Sequence, residues 1–490
     1  MYIVMIAPEC APAAHAGGLG DVVFGLGREL EIRGHAVEII LPKYDCLRYH
    51  QISHLTLDYR DLWVPWYDGA VHCSVWFGFV NGRKCFFIEP HSVDNFFNRD
   101  TIYGCPDDTM RFAFFSKAAL EYMLKAGKRP EIIHCHEWCT GLVPVLLFEI
   151  YKYYGMENQR VCFTIHNFSH QGIDGERVLW ATGLGRPEHY FHYDRLRDNF
   201  NPGAINFMKA GIVYANFATT VSRGYAWEAR HTGQGFGLGH TLHLHQHKFG
   251  GVRNGVDYDV WNPEIDRLIP HRFNVENIHK KYSNKDALRE RFWLRKDFKP
   301  LIAYVGRLDS QKGVHLVRHA LFYSLAHGAQ FVLLGPSPDP SINGHFWQLK
   351  RELNDNPDSH LELNFDGELA HLVYAGADMI IVPSNYEPCG LVQMIALKYG
   401  AVPIVRAIGG LRETVIDRDY SELPREYRNG YVFHQADECG IESAMQRAIG
   451  LWYGYPEQFR ELMINGMRYD YSWNYSGQDY LNIYNYIRHK

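Results

Sequence analysis

The sequence lacks any uninterrupted apolar run near the ~18 residues that a membrane-spanning helix requires. The stretch "LVPVLLFEI" at 142–150 reaches only about half that length. The N-terminus carries no basic lead and its apolar run stops at Glu9, which is unlike a secretory signal. We therefore expect a soluble, cytoplasmic protein with no membrane partner.

The sequence also lacks a cysteine framework and a charge excess. Its 10 cysteines are scattered through 490 residues, which predicts reduced thiols rather than a disulfide scaffold. Cys135 and Cys139 stand four apart, the wrong interval for a zinc knuckle, so we interpret them as buried thiols. The formal net charge is −5, which gives no reason to expect nucleic acid as a partner.

Aromatic residues are abundant, at 14% of the chain with 32 tyrosines. Such rings serve either as core packing or as platforms for sugar rings or a nucleobase. Composition alone leaves both readings open.

Strand and helix patterns alternate along the chain, which is too long for a single core. "YIVMIA", an amphipathic pattern over 21–33 and "HAVEIILP" predict a first βαβ unit. A change of texture near residue 254 precedes a second series that begins with "PLIAYVGRL". The pattern predicts an α/β protein with two doubly wound Rossmann-like domains facing each other across a deep cleft. The expected domains are 1–252, 253–469 and a C-terminal helical segment at 470–490.

A glycine-rich turn follows the first strand, in "HAGGLGDVV". Gly17 and Gly18 would let backbone N–H groups approach an anion at a helix N-terminus. Asp21 falls in the first turn of that helix, where a carboxylate suits the dipole.

A basic pair follows a strand of the second series, in "GRLDSQKG". Arg307 and Lys312 stand five apart across a turn that leads into a helix, an arrangement suited to clamping a pyrophosphate. The alternative is a solvated basic turn, which becomes the weaker interpretation beside a second glycine turn.

Two further turns open helices in the second half of the chain. "SNYEPCGLVQM" carries Glu387 and Gly390, and "RAIGGLRETV" carries Gly409 and Gly410. Their N–H groups suit a phosphate and the carboxylate suits sugar hydroxyls. Most of the polar candidates follow a strand directly, where ligands bind in open α/β sheets; in the first half these are His134, His136, Glu137, His166 and Asn167.

The order of seven motifs resembles bacterial glycogen synthases and plant starch synthases. They are "PECAP…GGLGDV", "HCHEW", "TIHNF", "RNGVD…WNP", "GRLDSQKG", "NYEPCGLVQM" and "GGLRETV", and the resemblance covers essentially the whole chain. Phrases such as "MRFAFFSKAALE" look most like the starch synthase III/IV and cyanobacterial glycogen synthase branch.

The resemblance implies a GT-B fold and retaining transfer of glucose from ADP-glucose to the 4-hydroxyl of an α-1,4-glucan end. It also implies no cofactor and no required metal, and a C-terminal helix that crosses back to the first domain. Carried over by motif, the implied catalytic residues are Glu387, His166, Arg307 and Lys312. The implied donor-binding residues are His15, Gly17, Gly18, Asp21, Glu137, Asn254, Phe365, Gly390, Gly409 and Gly410. Glu9 and Tyr103 would bind the acceptor.

Three positions depart from the family pattern. His15 stands where the family has a lysine, so it would supply a full positive charge only when protonated. Glu137 replaces the commoner aspartate, and Ile408 replaces a threonine. We expect weaker and pH-dependent donor binding that the remaining cations and N–H donors tolerate; a catalytically weak protein with another role is the alternative.

Other polar clusters invite different interpretations. The histidines of "GHTLHLHQHKF" lack a completing carboxylate or cysteine, so we expect an exposed polar segment rather than a metal site. "DYD" at 257–259 and "DRD" at 417–419 resemble metal-binding aspartate pairs, and we interpret both as solvated acids. Ile395 stands where sucrose-type transferases carry a second glutamate, which argues against that neighbouring group.

Two alternatives to an ADP-glucose-dependent glucan synthase stay open. One is a catalytically weak homologue that binds or initiates glucan with a partner. The other is a transferase that uses another nucleotide sugar, such as UDP-glucose.

Overall fold

Two separate sheets organise the chain, each in a unit of its own. The structure, a computed structural model, describes residues 1–364 and 366–490. The first unit comprises Met1–Gly255 and Trp473–Lys490, and the second comprises Val256–Ser472. Within the described residues, no helix combines the length and apolar character needed to cross a membrane.

The first unit is built on a mixed nine-stranded sheet in the order β11-β10-β7-β6-β1-β2-β5-β4-β3. Its strands, with the separate pair β8 and β9, are β1 (Tyr2–Ile6), β2 (Ala36–Pro42), β3 (Ile52–Trp66), β4 (Gly69–Val80), β5 (Arg83–Pro90), β6 (Ile132–His136), β7 (Arg160–Ile165), β8 (Ile173–Asp174), β9 (Ile205–Asn206), β10 (Phe217–Thr220) and β11 (Phe249–Gly251). Neighbours from β11 to β5 pair in parallel, and β4 pairs antiparallel with both β5 and β3. The strand order reverses between β1 and β6, so this unit has its topological switch point there.

Helices cover this sheet because their apolar side chains recur with helical spacing. The helices before the second unit are α1 (Gly18–Ile32), α2 (Asp108–Lys125), α3 (Val143–Glu149), α4 (Arg177–Thr182), α5 (Pro187–Tyr190), α6 (Phe207–Tyr214), α7 (Arg223–His231) and α8 (Gly239–Leu244). In α1, for example, Leu19, Val23, Leu26 and Leu30 are all buried, the i, i+4, i+7 spacing of a core-facing stripe. The stripe fixes the N-terminus of α1 just beyond β1.

The second unit has a six-stranded, entirely parallel sheet in the order β14-β13-β12-β15-β16-β17. The strands are β12 (Leu301–Val305), β13 (Gln330–Leu334), β14 (Ser359–Glu362), β15 (Met379–Val382), β16 (Val402–Arg406) and β17 (Tyr431–Phe433). Its helices are α9 (Lys281–Arg291), α10 (Val314–Ala326), α11 (Pro340–Leu353), α12 (Gly367–Gly376), α13 (Val392–Lys398), α14 (Leu411–Thr414), α15 (Glu438–Gly454) and α16 (Pro456–Arg468). Here the switch point lies between β12 and β15.

The last helix, α17 (Trp473–Arg488), belongs to the first unit. A Cβ on Gly25 of α1 would lie 2.1 Å from Trp473 Nε1, so the helix packs where α1 offers no side chain. Tyr484 in α17 bonds through its hydroxyl to His134 Nδ1 over 2.7 Å. The C-terminal segment thus completes the core of the first unit.

Candidate active site

Lys312 and Glu387 meet at the switch point of the second unit, because their loops follow β12 and β15. Lys312 Nζ donates to Glu387 Oε2 over 2.5 Å, although the two residues are 75 apart in sequence. Ser384 Oγ donates to the same oxygen over 2.9 Å. Glu387 is only 6% exposed, so its carboxylate is held in one position by a cation and a hydroxyl.

Arg307 lies on the same loop as Lys312 but makes no direct bond to Glu387. Its side chain is 57% exposed, and its Nη2 lies 3.4 Å from Asp309 Oδ2. Asp309 also accepts the backbone N–H of Lys312 through Oδ1 over 2.9 Å, so it shapes the loop that carries both cations. We did not predict Asp309 from the sequence; the signal was an aspartate three residues before Lys312, the spacing of a side chain that folds back on its own turn.

Gly409 and Gly410 lie so close to a neighbouring backbone segment that neither position has room for a side chain. Gly409 has φ +49°, and a Cβ there would lie 1.9 Å from the carbonyl oxygen of Glu387. At Gly410 a Cβ would lie 2.1 Å from the carbonyl oxygen of Cys389, and its N–H donates to the Glu387 carbonyl over 3.1 Å. The loop that carries Glu387 and Gly390 therefore packs directly against the turn before α14. A donor-binding role for Gly390, Gly409 and Gly410 stays a prediction.

In the first unit, Glu9 lies beneath the glycine turn. Its Oε2 accepts the backbone N–H groups of Ala16 and Gly17 over 2.6 and 2.9 Å. Its Oε1 accepts the Tyr103 hydroxyl over 2.6 Å, and the residue is 2% exposed. These two N–H groups thus hold the protein's own carboxylate, and Glu9 and Tyr103 act together to fix the turn. Their assignment to the acceptor stays a prediction.

His15 and Asp21 pair at the rim of the same turn. His15 Nε2 lies 3.2 Å from Asp21 Oδ2, and this hydrogen bond raises the pKa of His15 above its ordinary 6.5. Gly17 and Gly18 are exposed, and a Cβ on either would meet no atom within 4 Å. The turn therefore presents open space beside an imidazole that favours its protonated form.

Glu137 is buried at the end of β6, at the switch point of the first unit. Its Oε2 accepts the backbone N–H groups of His166 and Asn167 over 3.0 and 3.1 Å, and its Oε1 accepts that of Trp138 over 3.2 Å. The backbone has φ +69°, a strained conformation for a residue with a side chain. Burial raises the pKa of Glu137 to about 8, against the lowering effect of the N–H donors. The side chain thus acts as a brace for the loop that carries His166.

His166 follows β7 and contacts a second imidazole. Its Nε2 lies 3.2 Å from His136 Nδ1. Burial lowers the pKa of His166 to about 3, and it also lowers the pKa of His136 well below the usual range. Both rings are therefore neutral at physiological pH. His134, by contrast, is structural: it is fully buried between Thr164 and Tyr484, with 2.7 Å hydrogen bonds to each.

Asn254 and Phe365 complete the predicted set. Asn254, at the end of the first unit, is 6% exposed, and its Oδ1 has no hydrogen-bond partner among residues 1–364 and 366–490. Phe365 lies outside the described residues.

The other polar clusters singled out from the sequence lie outside the residues described above. His240, His243 and His247 are exposed, as expected, but His245 is half-buried. The described part of the chain contains no group of three or more His, Cys, Asp or Glu side chains placed to hold a metal. Cys135 and Cys139 are free, buried thiols, as predicted. The prediction that Asp417 is a solvated acid was wrong: it is 9% exposed and accepts Arg447 Nη1 over 2.9 Å. A half-buried arginine partner and the N–H of Val432, at 2.6 Å, satisfy its charge.

The residues at the two switch points are typical of one kind of enzyme. A buried carboxylate against a lysine, with an exposed arginine on the same loop, suits a group-transfer enzyme whose leaving group is an anion. Two Rossmann-like units add the sheet ends at which phosphate-bearing ligands bind.

Comparison with known proteins identifies the family. The model of the starch synthase catalytic domain matches residues 2–244, and the model of glycosyl transferases group 1 matches residues 286–461. Glycogen synthase 1 of Synechococcus sp. strain JA-3-3Ab is 66% identical over 492 residues, covering 100% of both chains. Glycogen synthase 2 of Methylococcus capsulatus is 67% identical over 485 residues, covering 99% of this chain and 100% of its own.

A solved structure agrees with these relatives. The catalytic domain of starch synthase IV from Arabidopsis thaliana, bound to ADP and acarbose, matches with a TM-score of 0.96 and 41% identity, over 100% of this chain and 99% of its own. The chain therefore belongs to the glycogen and starch synthase family, and the predicted family and GT-B fold are confirmed.

The brace at Glu137 leads to a first prediction. Glu137→Ala leaves three buried N–H groups unpaired, so we expect a loss of stability of about 2–4 kcal/mol. Because the loop of His166 is released, kcat should also fall by at least about tenfold. Glu121→Ala is the matched control: Glu121 is 6% exposed and accepts the Tyr151 hydroxyl, so that variant should lose stability with kcat preserved. Equal kcat values for the two folded variants would contradict a bracing role.

Proposed function

We propose that this protein elongates α-1,4-glucan by retaining transfer of glucose from ADP-glucose to the non-reducing end of the chain. The observation that carries the proposal is the 2.5 Å pair of Lys312 and Glu387 at the switch point of the second unit. The Arabidopsis relative, with its bound ADP and acarbose, supports an adenine nucleotide and a glucan in a fold of the same kind.

The reaction separates charge, and the residues suit that separation. The bond between glucose C1 and the diphosphate oxygen breaks, and a bond between C1 and the acceptor O4 forms. The leaving ADP gains negative charge, which Lys312 and Arg307 stabilise as fixed cations. The acceptor hydroxyl loses its proton, and the departing phosphate oxygen is the nearest developing base. Glu387 stabilises the positive character that grows on the sugar ring.

The remaining residues bind and position the substrates in this proposal. His166 is neutral, so it offers the glucose a hydrogen bond without adding positive charge near C1. Donor-binding roles are proposed for His15, Asp21, Gly17 and Gly18 at the glycine turn, and for Asn254. The chain's own cations neutralise the diphosphate, so the proposal requires no metal and no cofactor.

His15 sets a pH dependence that a lysine would not. Asp21 and Glu9 favour the protonated imidazole and Arg48 disfavours it. Since the pKa of His15 is raised, its positive charge is present below pH 6.5 and is lost as the pH rises through the raised value. We expect His15→Lys to lower the KM for ADP-glucose at alkaline pH, by about tenfold or less, and to leave it unchanged in acid. His50→Lys is the control, since His50 is exposed. Parallel KM–pH curves for wild type and His15→Lys would remove the charge argument.

A donor comparison tests the proposal as a whole. Purified protein is incubated with glycogen and radiolabelled ADP-glucose or UDP-glucose between about pH 6 and pH 8.5. We expect incorporation into the polymer from ADP-glucose. Incorporation from UDP-glucose alone would show another donor specificity, and no incorporation at any pH would indicate a binding protein.

A further inference from the structure

Trp293 has a backbone conformation that helix ends normally give to glycine. Helix α9 ends in a Schellman pattern, in which Trp293 N–H donates to the Glu290 carbonyl over 3.3 Å and Leu294 N–H donates to the Arg289 carbonyl over 2.8 Å. Trp293 therefore occupies the left-handed position, with φ +53°. A bulky residue is unfavourable there because its Cβ crowds the backbone.

The tryptophan side chain makes no core packing that would offset its unfavourable backbone conformation. Trp293 is 83% exposed, whereas its neighbours Phe292 and Leu294 are 5% and 6% exposed. Neither the cap nor the core thus explains an indole at this position. A strained residue without a structural return is the kind of position that a ligand explains.

A cavity adjoins the indole. It has a volume of about 350 Å³, within the ~300–1,000 Å³ of ligand sites. Phe292 and His360, stacked with ring centroids 3.9 Å apart, form part of its lining together with Arg291, Glu362 and Asp366. The cavity therefore combines an aromatic wall with charged and polar side chains.

The polar groups of the cavity offer both donors and acceptors. Within the described chain, the Arg291 guanidinium makes no hydrogen bond or ion pair, and Asp366 uses Oδ1 to cap Leu369 N–H while Oδ2 makes no such bond. Asn364 Nδ2 donates to Glu362 Oε1 over 3.2 Å, which leaves its amide oxygen to accept. Hydroxyl groups, which donate and accept together, suit such a mixture.

The combination favours a sugar over the other ligand classes. A pyranose has an apolar C–H face that covers an aromatic ring and a rim of hydroxyls that bond to carboxylates and amides. Glu362 is neutralised by Lys350 at 3.3 Å. Among the described residues of the lining, Arg291 is the one cation offered to an anionic ligand such as a nucleotide, against the free carboxylate oxygen of Asp366. A protein partner would meet one exposed ring rather than the broad apolar patch of an interface.

We propose that Trp293 and this cavity bind an α-1,4-glucan chain outside the site of transfer. This inference rests on the proposed function, since a glucan is the polymer on which the enzyme acts. A branch of glycogen held at Trp293 would raise the effective concentration of other chain ends for transfer. The gain applies to a branched polymer and not to a short oligosaccharide.

Binding without donor tests this site independently of catalysis. Trp293→Gly removes the ring and suits the left-handed backbone, so its thermal midpoint should not fall. In affinity electrophoresis through glycogen, we expect its Kd to rise about tenfold, the equivalent of ~1.4 kcal/mol. Trp293→Asn, which also tolerates a positive φ, should behave alike and serves if the glycine variant is unstable. Tyr455→Ala is the control, because Tyr455 is 62% exposed on the same unit and should leave Kd unchanged.

Kinetics distinguish this site from the site of transfer. For Trp293→Gly we expect a higher KM for glycogen, with kcat on maltotriose and the KM for ADP-glucose unchanged. An unchanged glycogen Kd would overturn the proposal. A raised KM for ADP-glucose would assign the cavity to the nucleotide instead, and a change in oligomeric state with normal glycogen affinity would assign it to a protein interface. If the protein transfers no glucose at all, the donor-free Kd still decides whether Trp293 binds glucan.

Discussion

Replacing Lys312 by glutamine is expected to lower kcat by about 10²–10³-fold, the usual cost of removing one group that stabilises developing negative charge. The ammonium is in place before the reaction, because Glu387 holds it at 2.5 Å. Glutamine keeps a hydrogen-bond donor but loses the charge. Affinity for ADP should therefore weaken as well, by about tenfold.

A matched lysine separates this effect from a general loss of charge. Lys299 pairs with Asp358 over 2.6 Å in the same unit. It precedes β12, whereas the loop that carries Lys312 follows that strand. Lys299→Gln should change kcat by less than about twofold. A kcat for Lys312→Gln close to that of the Lys299 variant would show that Lys312 does not act on the leaving group.

Glu387→Gln is expected to give a comparable loss of kcat, about 10²-fold or more. Unlike Lys312→Gln, it should not weaken the affinity for ADP. In the proposed reaction, removing the carboxylate takes away the charge that stabilises the sugar as its bond breaks. It also releases Lys312 from its internal partner, so ADP affinity should stay the same or increase. Kinetics at saturating donor, combined with calorimetry of ADP binding, measures both quantities.

The control is a second buried pair of the same type. Asp378 is 1% exposed and accepts Lys285 Nζ over 2.6 Å. Asp378→Asn should lower the stability of the second unit, since it leaves a buried cation, but the surviving folded protein should keep its kcat. If Glu387→Gln lost ADP affinity together with kcat, Glu387 would be a structural partner of Lys312 and not a group that acts on the sugar.

The proximity of Lys312 and Glu387 could be predicted because parallel sheets bring the residues that follow their strands to one edge. Lys312 and Glu387 are 75 residues apart, yet each follows an apolar strand, and β12 and β15 are neighbours in the sheet. Strand-end position was therefore sufficient to group them. The short apolar strands, such as β1 and β15, were readable for the same reason, since both faces are buried.

The β3–β4 hairpin was missed because its pattern is different. Its 15-residue edge strand, Ile52–Trp66, is largely exposed and contains register shifts against β4. Charged residues along an irregular edge strand weaken the alternation from which strands are predicted. Its position at the edge is known only once the sheet is assembled.

The contacts of individual side chains could not be predicted from the sequence either. A glycine turn indicates N–H groups that need an anion, but Ala16 and Gly17 satisfy theirs with Glu9, a choice that depends on tertiary packing. The segment around Asp417 has the composition of a surface loop, yet Arg447 from α15 donates a hydrogen bond to Asp417. Local sequence cannot show a partner that arrives from a distant helix.

In the proposed reaction, fixed cations of the chain, with Glu387, let glucose leave ADP with its configuration retained. The most direct measurement is proton and phosphorus NMR of one reaction mixture of ADP-glucose and maltotriose, with a chelator present. We expect one ADP for each new α-1,4-linked glucose, at an unchanged rate in the chelator. A β-linked product, or a reaction that stops until a divalent metal is returned, would contradict the proposed reaction.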